Sequence, residues 1–204
     1  PTQTIAAIAM RANMAQKMLA QKPQAALKEL QTMEEMARRT TQEIRHMLFT
    51  LRPLVLETQG LVAALEAMAE KMRDTYGQNV LVEIDPQVVE KLEMEQQSVI
   101  FAIAEEAVNN ARKHAEAEHI WVRLRPLRGD IALLEIRDDG VGFDAKAVLA
   151  SYEQRGSLGL LNLRERSELI NGIFHLDSEP GKGTRVQVAI PLTEAAIERL
   201  RHRI

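Results

Sequence analysis

Glycine is distributed very unevenly along this chain, and that distribution limits what each part can fold into. No glycine occurs before Gly60, whereas seven of the ten glycines lie between Gly140 and Gly183. Glycine weakens helices and permits tight turns and close backbone approach. The first third is therefore predicted to be helical, and the rest to be a mixed domain with functional loops.

Apolar residues at helical spacing support the prediction for the first third. Residues 2–20 are rich in alanine and methionine, and a second apolar stripe follows the break at Lys22-Pro23-Gln24 and runs to Leu51. Proline suits the first turn of a new helix, and Arg52-Pro53 ends the stripe. We expect an antiparallel helical hairpin over residues 1–53.

A hairpin of two helices buries too little apolar surface to be stable by itself. The stripe is expected to pack either against a second hairpin, which gives a four-helix homodimer, or on the rest of the same chain. We favour the homodimer.

Residues 54–60 are predicted to be a linker, and residues 61–204 a second domain. Its apolar periodicity predicts helices and strands in the order α-β-α-β-β-α-β-β-α, at residues 61–76, 80–84, 93–115, 120–127, 131–136, 158–170, 172–177, 184–190 and 193–201. This order predicts an α+β fold, a layer sandwich with helices on one face of a mixed, largely antiparallel sheet.

Composition excludes several classes of site and partner. The net charge of -3 gives no indication of a nucleic-acid surface, and no apolar run reaches the ~18 to 20 residues of a membrane span. The absence of cysteine excludes disulfides and thiolate metal sites. We expect a cytoplasmic chain without nucleic-acid or membrane contact. Because it begins with Pro1, we expect it to be part of a longer protein, which upstream regions could anchor in a membrane.

One predicted helix carries a polar face with ligand character. Glu106, Asn110 and either Lys113 or His114 recur at helical spacing, so they share one face. A carboxylate beside a carboxamide can hold hydrated Mg²⁺, which prefers oxygen ligands, and Lys113 adds a cation suited to phosphates. The alternative is an ordinary solvated face.

Three glycine-containing segments follow this helix. In the first, Asp138-Asp139-Gly140-Val141-Gly142 ends a strand, so a buried aspartate there could accept a hydrogen bond from an exocyclic amine. The second, Gly156-Ser157-Leu158-Gly159-Leu160, opens a helix whose N-terminus favours anions. The third, Gly181-Lys182-Gly183-Thr184, joins two strands. Each alone is compatible with a plain turn, but their order after the polar helix indicates a nucleotide site.

In this order, the motifs resemble those of the sensor histidine kinases of two-component signalling, within the subfamily that includes the nitrate/nitrite sensors. Residues 106–114 resemble the N box of that family, and the three glycine segments resemble its glycine boxes. The resemblance covers essentially the whole chain. It implies a GHKL (Bergerat) type ATP-binding domain behind a dimerisation and phosphotransfer hairpin.

The resemblance also implies roles for individual residues. Asn110 would ligate Mg²⁺ on the ATP phosphates, and Glu106 would act as the base or polariser on the accepting imidazole. Asp138 would bind the adenine amine, in a pocket shaped by Gly140 and Gly142. The remaining implied contacts are with the phosphates, except for Thr184 on the adenine side: Lys113, His114, Gly156, Gly159, Leu160 and Thr184.

The chain departs from the family pattern at the phosphoacceptor. No histidine occurs between Pro1 and Arg45. Gln3 fits a glutamine that follows the acceptor histidine in this subfamily, so we expect the acceptor to lie just before Pro1. The chain is then expected to bind ATP without autophosphorylating. In the longer protein, a response regulator would receive the phosphoryl group. Alternatives are another GHKL-type ATPase, or a dimerisation module whose ATP site only regulates shape.

Overall fold

A computed structural model describes residues 2–19, 22–50, 54–145, 147–148 and 158–201. The chain divides into two compact units, residues 1–51 and 52–204. In the first, α1 (Thr2–Met18) packs against α2 (Pro23–Thr50), which starts at the proline that the sequence places there. Ala15 and Ala26 are buried, and Arg11 donates to Glu29 across the pair at 2.7 Å. The predicted helical hairpin is present.

The second unit contains one five-stranded sheet and the helices that pack on it. In chain order its elements are α3 (Leu54–Tyr76), β1 (Asn79–Ile84), α4 (Pro86–Val89), α5 (Met94–His114), β2 (His119–Arg128), β3 (Ile131–Asp138), α6 (Leu158–Leu169), β4 (Ile173–Ser178), β5 (Thr184–Pro191) and α7 (Glu194–Arg201). The strand order is β1-β2-β3-β5-β4, with β1 parallel to β2 and the other pairs antiparallel. The predicted α+β fold is confirmed.

Alternating side chains place the core on one face of this sheet. On β2, Ile120, Val122 and Leu124 are fully buried, while the residues between them are partly exposed. α3 and α5 pack together over this face, and α6 packs on α5 and β4. Asp138 lies opposite Ile120 in the β2–β3 register, so the last residue of β3 points to the same side as the core.

Two local differences from the sequence expectation have physical causes. Residues 54–59, expected as part of a linker, are helical, and Gly60 interrupts α3 with φ 84° and ψ -179°. Leu56 and Leu61, on either side of the interruption, are fully buried in the core, and this packing orders the segment. The short helix α4 was not predicted; Asp85 caps it by accepting a bond from Gln87, and Pro86 occupies its first turn.

None of the described helices is long and apolar enough to cross a membrane.

Candidate functional site

A cavity of about 380 Å³ opens where α5, α6 and the ends of β3 and β5 meet. Most of its wall is apolar, and a few polar groups enter it at defined places. Its lining residues are Ala107, Asn110, Ala111, His114, Ala115, Ile136, Asp138, Gly142, Phe143, Val148, Gly159, Leu160, Leu163, Thr184 and Val186. A concave, mainly apolar pocket with a few convergent polar groups is the usual form of a small-molecule site.

Seven of the residues selected from the sequence line this cavity: Asn110, His114, Asp138, Gly142, Gly159, Leu160 and Thr184. Three others lie near it without lining it. Glu106 lies beside Gly159 at the start of α6, Gly140 is buried against Ala115, and Lys113 is exposed on α5. Gly156 lies outside the described residues.

Asp138 is the buried carboxylate of the cavity, only 4% exposed. The backbone N–H groups of Gly140 and Thr184 both donate to its Oδ1, at 3.0 and 3.1 Å. Burial raises the pKa of Asp138, and these two hydrogen bonds partly oppose the rise. The Thr184 side chain also bonds this carboxylate, but Oδ2 takes part in neither backbone bond, and the four lone pairs of a carboxylate leave acceptor capacity for a group in the cavity.

The neighbouring Asp139 has a different environment. It accepts hydrogen bonds from the backbone N–H of His119 at 2.9 Å and lies 3.0 Å from the ring Nδ1 of the same residue. Burial raises the pKa of Asp139, but the bonds from His119 outweigh it and hold that pKa below the ordinary value. Asp139 therefore attaches the loop after β3 to β2, whereas the carboxylate of Asp138 is directed at the cavity.

The glycines of the loop after β3 are required by close packing. A Cβ on Gly140 would lie 2.1 Å from the carbonyl oxygen of Ala115, at the end of α5. Gly142 has φ +60°, and a Cβ there would lie 2.1 Å from the carbonyl oxygen of Glu179 in the β4–β5 turn. The loop is thus held between α5 on one side and this turn on the other.

The polar face of α5 meets the first turn of α6. A Cβ on Gly159 would lie 3.3 Å from Oε1 of Glu106 and 3.4 Å from Nδ2 of Asn110, so glycine lets the two helices approach here. Asn109, by contrast, donates to the carbonyl of Glu105 within its own helix. The structure thus separates the two adjacent asparagines, and only Asn110 lines the cavity.

Several contributors were not found from the sequence. Ala107 and Ala111 on α5 and Ala115 at its C-terminal cap recur every four residues, and their small side chains leave room for the cavity. The Ser178 hydroxyl contacts two segments that frame the cavity. Arg166 donates to the Ala102 carbonyl at 2.6 Å and links α6 to α5 one turn before Glu106. The alanine spacing could have been recognised in the sequence, whereas the roles of Ser178 and Arg166 depend on contacts between segments that are distant in the chain.

Among the described residues, no group of three or more His, Cys, Asp or Glu side chains is arranged to hold a metal ion.

Comparison with known protein families identifies the domain that contains this cavity. The family model described as "Histidine kinase-, DNA gyrase B-, and HSP90-like ATPase" matches residues 95–194, which include every residue that lines the cavity. A second family model, described as "Histidine kinase", matches residues 1–56, the hairpin. The chain belongs to the sensor histidine kinases. The cavity accordingly lies in the ATPase domain of a histidine kinase.

Individual relatives agree with this assignment. The histidine kinase chain is 44% identical, over 94% of its length, to an uncharacterized sensor-like histidine kinase of Chloroflexus aurantiacus, of which it covers 32%. It is 27% identical, over 95% of its length, to the signal transduction histidine-protein kinase/phosphatase DegS of Brevibacillus brevis, of which it covers 48%. The chain spans about a third to about half of the length of these relatives.

A solved structure shares the fold. The blue-light activated histidine kinase of Erythrobacter litoralis EL346 superimposes with a TM-score of 0.53 at 23% identity. The match covers 65% of this chain and 42% of that one.

Proposed function

We propose that this chain is the catalytic core of a two-component sensor histidine kinase, which binds ATP with Mg²⁺ in the described cavity and directs its γ-phosphoryl group to a histidine. The observation that supports this best is the convergence of a buried carboxylate, the polar face of α5 and the first turn of α6 on one cavity. The buried carboxylate suits the amine of a nucleobase, and the polar face of α5 and the first turn of α6 suit phosphates.

The adenine ring would lie at the Asp138 end of the cavity. There the carboxylate accepts a hydrogen bond from the exocyclic amine, and Thr184 fixes that carboxylate through its backbone N–H. Apolar side chains of Ile136, Leu163 and Val186 surround this end and bury the faces of the ring. A nucleobase that presents a carbonyl in place of the amine would meet an acceptor and be rejected.

The phosphates would lie between the polar face of α5 and the start of α6. The N-terminus of α6 favours anions, because its first backbone N–H groups have no partner within the helix. Asn110 and His114 line this part of the cavity. Lys113 is on the same helix but outside the lining, so its proposed phosphate contact needs its side chain to reach over the rim.

Magnesium fits the donor set at this end. Asn110 offers a carboxamide oxygen and Glu106 a carboxylate close by, and Mg²⁺ commonly uses one or two protein oxygens together with water and phosphate oxygens. When bound, the ion supplies charge neutralisation for phosphoryl transfer. Asn110 would hold it, and Glu106 would act on the accepting imidazole as base or polariser.

The hairpin supports the partners that we propose. Ile5, Leu19, Leu27 and Leu30 are each 45% to 59% exposed in the single chain, which is unfavourable for apolar side chains unless a partner covers them. We propose that a second copy covers them in a four-helix homodimer. A response regulator is the proposed recipient of the phosphoryl group from the histidine.

A titration with ATP, with and without Mg²⁺, tests the site. The natural chain should bind ATP more tightly when Mg²⁺ is present, and Asn110→Ala should remove most of that dependence, about tenfold or ~1.4 kcal/mol. Asn109→Ala is the matched control and should keep it. Equal behaviour of the two variants, or no ATP binding by the natural chain, would overturn the proposal.

Catalysis is tested in the longer protein that carries an acceptor histidine. There Glu106→Gln should keep ATP affinity and lose autophosphorylation, because it removes the base and leaves the binding groups. Unchanged autophosphorylation would instead favour a base elsewhere, and unchanged signalling without any phosphorylation would favour the regulatory, non-catalytic alternative.

A further inference from the structure

Ser178 is the last residue of β4, and its side chain lies just outside the lining of the cavity. Its position follows from the alternation of the strand, because Phe174 and Leu176 point to the core face and residue 178 has the same parity. Instead of an apolar side chain, this last core-side position carries a half-buried hydroxyl. A hydroxyl at such a position needs hydrogen-bond partners within the protein.

The hydroxyl contacts three residues, which belong to two segments of the site. It accepts a hydrogen bond from the backbone N–H of Phe143 at 2.9 Å. It donates to the carbonyl of Gly183 at 3.0 Å and lies 3.1 Å from Oγ1 of Thr184. A hydroxyl has one donor proton and two acceptor lone pairs, so the bonds to Phe143 and Gly183 leave one lone pair on the Ser178 oxygen.

Two of these contacts are with residues that line the cavity. Phe143 lines it and begins the segment that leads to Val148, also a lining residue. Thr184 lines it and donates its backbone N–H to Asp138. The loop after β3 and the β4–β5 turn are joined elsewhere by the backbone bond from Gly181 to Val141, at 2.6 Å. Ser178 supplies the side-chain link between the same two segments.

We infer that Ser178 is a positioning residue for nucleotide binding: its hydroxyl holds the Phe143 backbone and Thr184 together, and so fixes the shape of the cavity around Asp138. The inference rests on the proposed function, since it assumes that the cavity takes ATP. Ser178 touches no reacting atom and acts only through Phe143, Gly183 and Thr184.

Two isosteric substitutions isolate the hydroxyl. Ser178→Thr keeps it and adds a methyl group, whereas Ser178→Val has the same shape as threonine without the hydroxyl. Ser98→Ala is the control for general loss of a serine hydroxyl, because Ser98 is also half-buried, donates to the Met94 carbonyl in its own helix and does not line the cavity. ATP affinity of all four chains is measured with Mg²⁺, well below each unfolding midpoint.

The expected result is a fivefold to tenfold loss of ATP affinity for Ser178→Val, the size that loss of one to two hydrogen bonds implies. Ser178→Thr should stay within about twofold of the natural chain, as should Ser98→Ala. A purely structural hydroxyl would lower the unfolding temperature of Ser178→Val without changing affinity at low temperature, and that result would overturn the inference.

The outcome also separates this inference from the proposed function. If the natural chain binds no ATP, the proposed function fails first. If the natural chain binds ATP and the valine and threonine variants bind it equally well, only the role of Ser178 is wrong. If Ser178→Val does not fold, Ser178→Ala gives the same comparison with less bulk, and the same fivefold loss is required.

Discussion

The loop after β3 offers a substitution whose effect can be worked out from geometry. Gly142 and Gly181 both have left-handed backbones, with φ +60° and +80°. A Cβ on Gly142 would lie 2.1 Å from the Glu179 carbonyl oxygen, whereas a Cβ on Gly181 would have no heavy atom within 4 Å. Alanine at either position imposes the same backbone strain, but only alanine at Gly142 adds a collision.

The two costs can be estimated separately. A left-handed conformation costs an alanine about 1–2 kcal/mol, and the reduced freedom of the unfolded chain returns about 0.4–1 kcal/mol. Gly181→Ala should therefore lower the free energy of unfolding by about 0 to 1.6 kcal/mol. Gly142→Ala adds an overpacking cost of about 1–3 kcal/mol, because the turn and the loop must separate by more than 1 Å to restore an ordinary contact.

This separation should also affect the site, since Asp138 and Phe143 flank the loop. We expect Gly142→Ala to weaken ATP binding at least about tenfold, or ~1.4 kcal/mol, and Gly181→Ala to change it less than about twofold. Urea denaturation gives the stabilities, and calorimetric titration gives the affinities. Equal losses of affinity in the two variants would show that backbone strain, and not the contact with Glu179, controls the loop.

Three further predictions follow from the site and the hairpin. Burial raises the pKa of Asp138, so the folded chain binds the carboxyl proton more tightly than the unfolded chain does. The stability that protonated Asp138 contributes is therefore full at acid pH and is lost as pH rises through the raised pKa. Asp138→Asn should therefore gain stability relative to the natural chain, both without nucleotide, as pH rises from the ordinary aspartate range; a pH-independent difference in urea denaturation would contradict this. Leu30→Glu should shift the chain from dimer to monomer in sedimentation equilibrium while Gln31→Glu, one residue on and exposed, should not; a dimer that survives Leu30→Glu would place the contact elsewhere. Radiolabelled ATP should leave no acid-labile label on this chain, because it has no histidine before His46; a stable label would identify an acceptor among the histidines present.

Regular periodicity made most of the fold predictable. The alternation of Ile120, Val122 and Leu124 gave both the strand and its core face, and the helical stripe gave the hairpin. The segment 54–59 could not be recognised in the same way, because it is too short to show a helical period and its order depends on burial of Leu56 by distant residues. Leu133 and Glu135 are also buried although they lie on the face of β3 opposite the core face, and the alternation along the strand does not predict this.

The candidate site was predictable where its residues share one element. Spacing on α5 grouped Glu106, Asn110 and His114, and the structure distinguishes His114, which lines the cavity, from Lys113, which does not. Contacts between separate loops were beyond reach, because Ser178 meets Phe143 only after β4 and the loop after β3 are brought together by the sheet. Single-element patterns can be read along the chain, whereas the packing of turns against each other cannot.

The interruption of α3 at Gly60 bears on how such kinases can be recombined. Leu56 precedes it and is buried in the same core as Leu61, so the helical turn before the glycine is part of the ATPase unit. A chimera joined at residue 61 would leave out Leu56 and the ~1.5–3 kcal/mol that burying a leucine contributes. Exchanges of this module between relatives are better made ahead of Leu54, so that the incoming unit brings its own first turn with it.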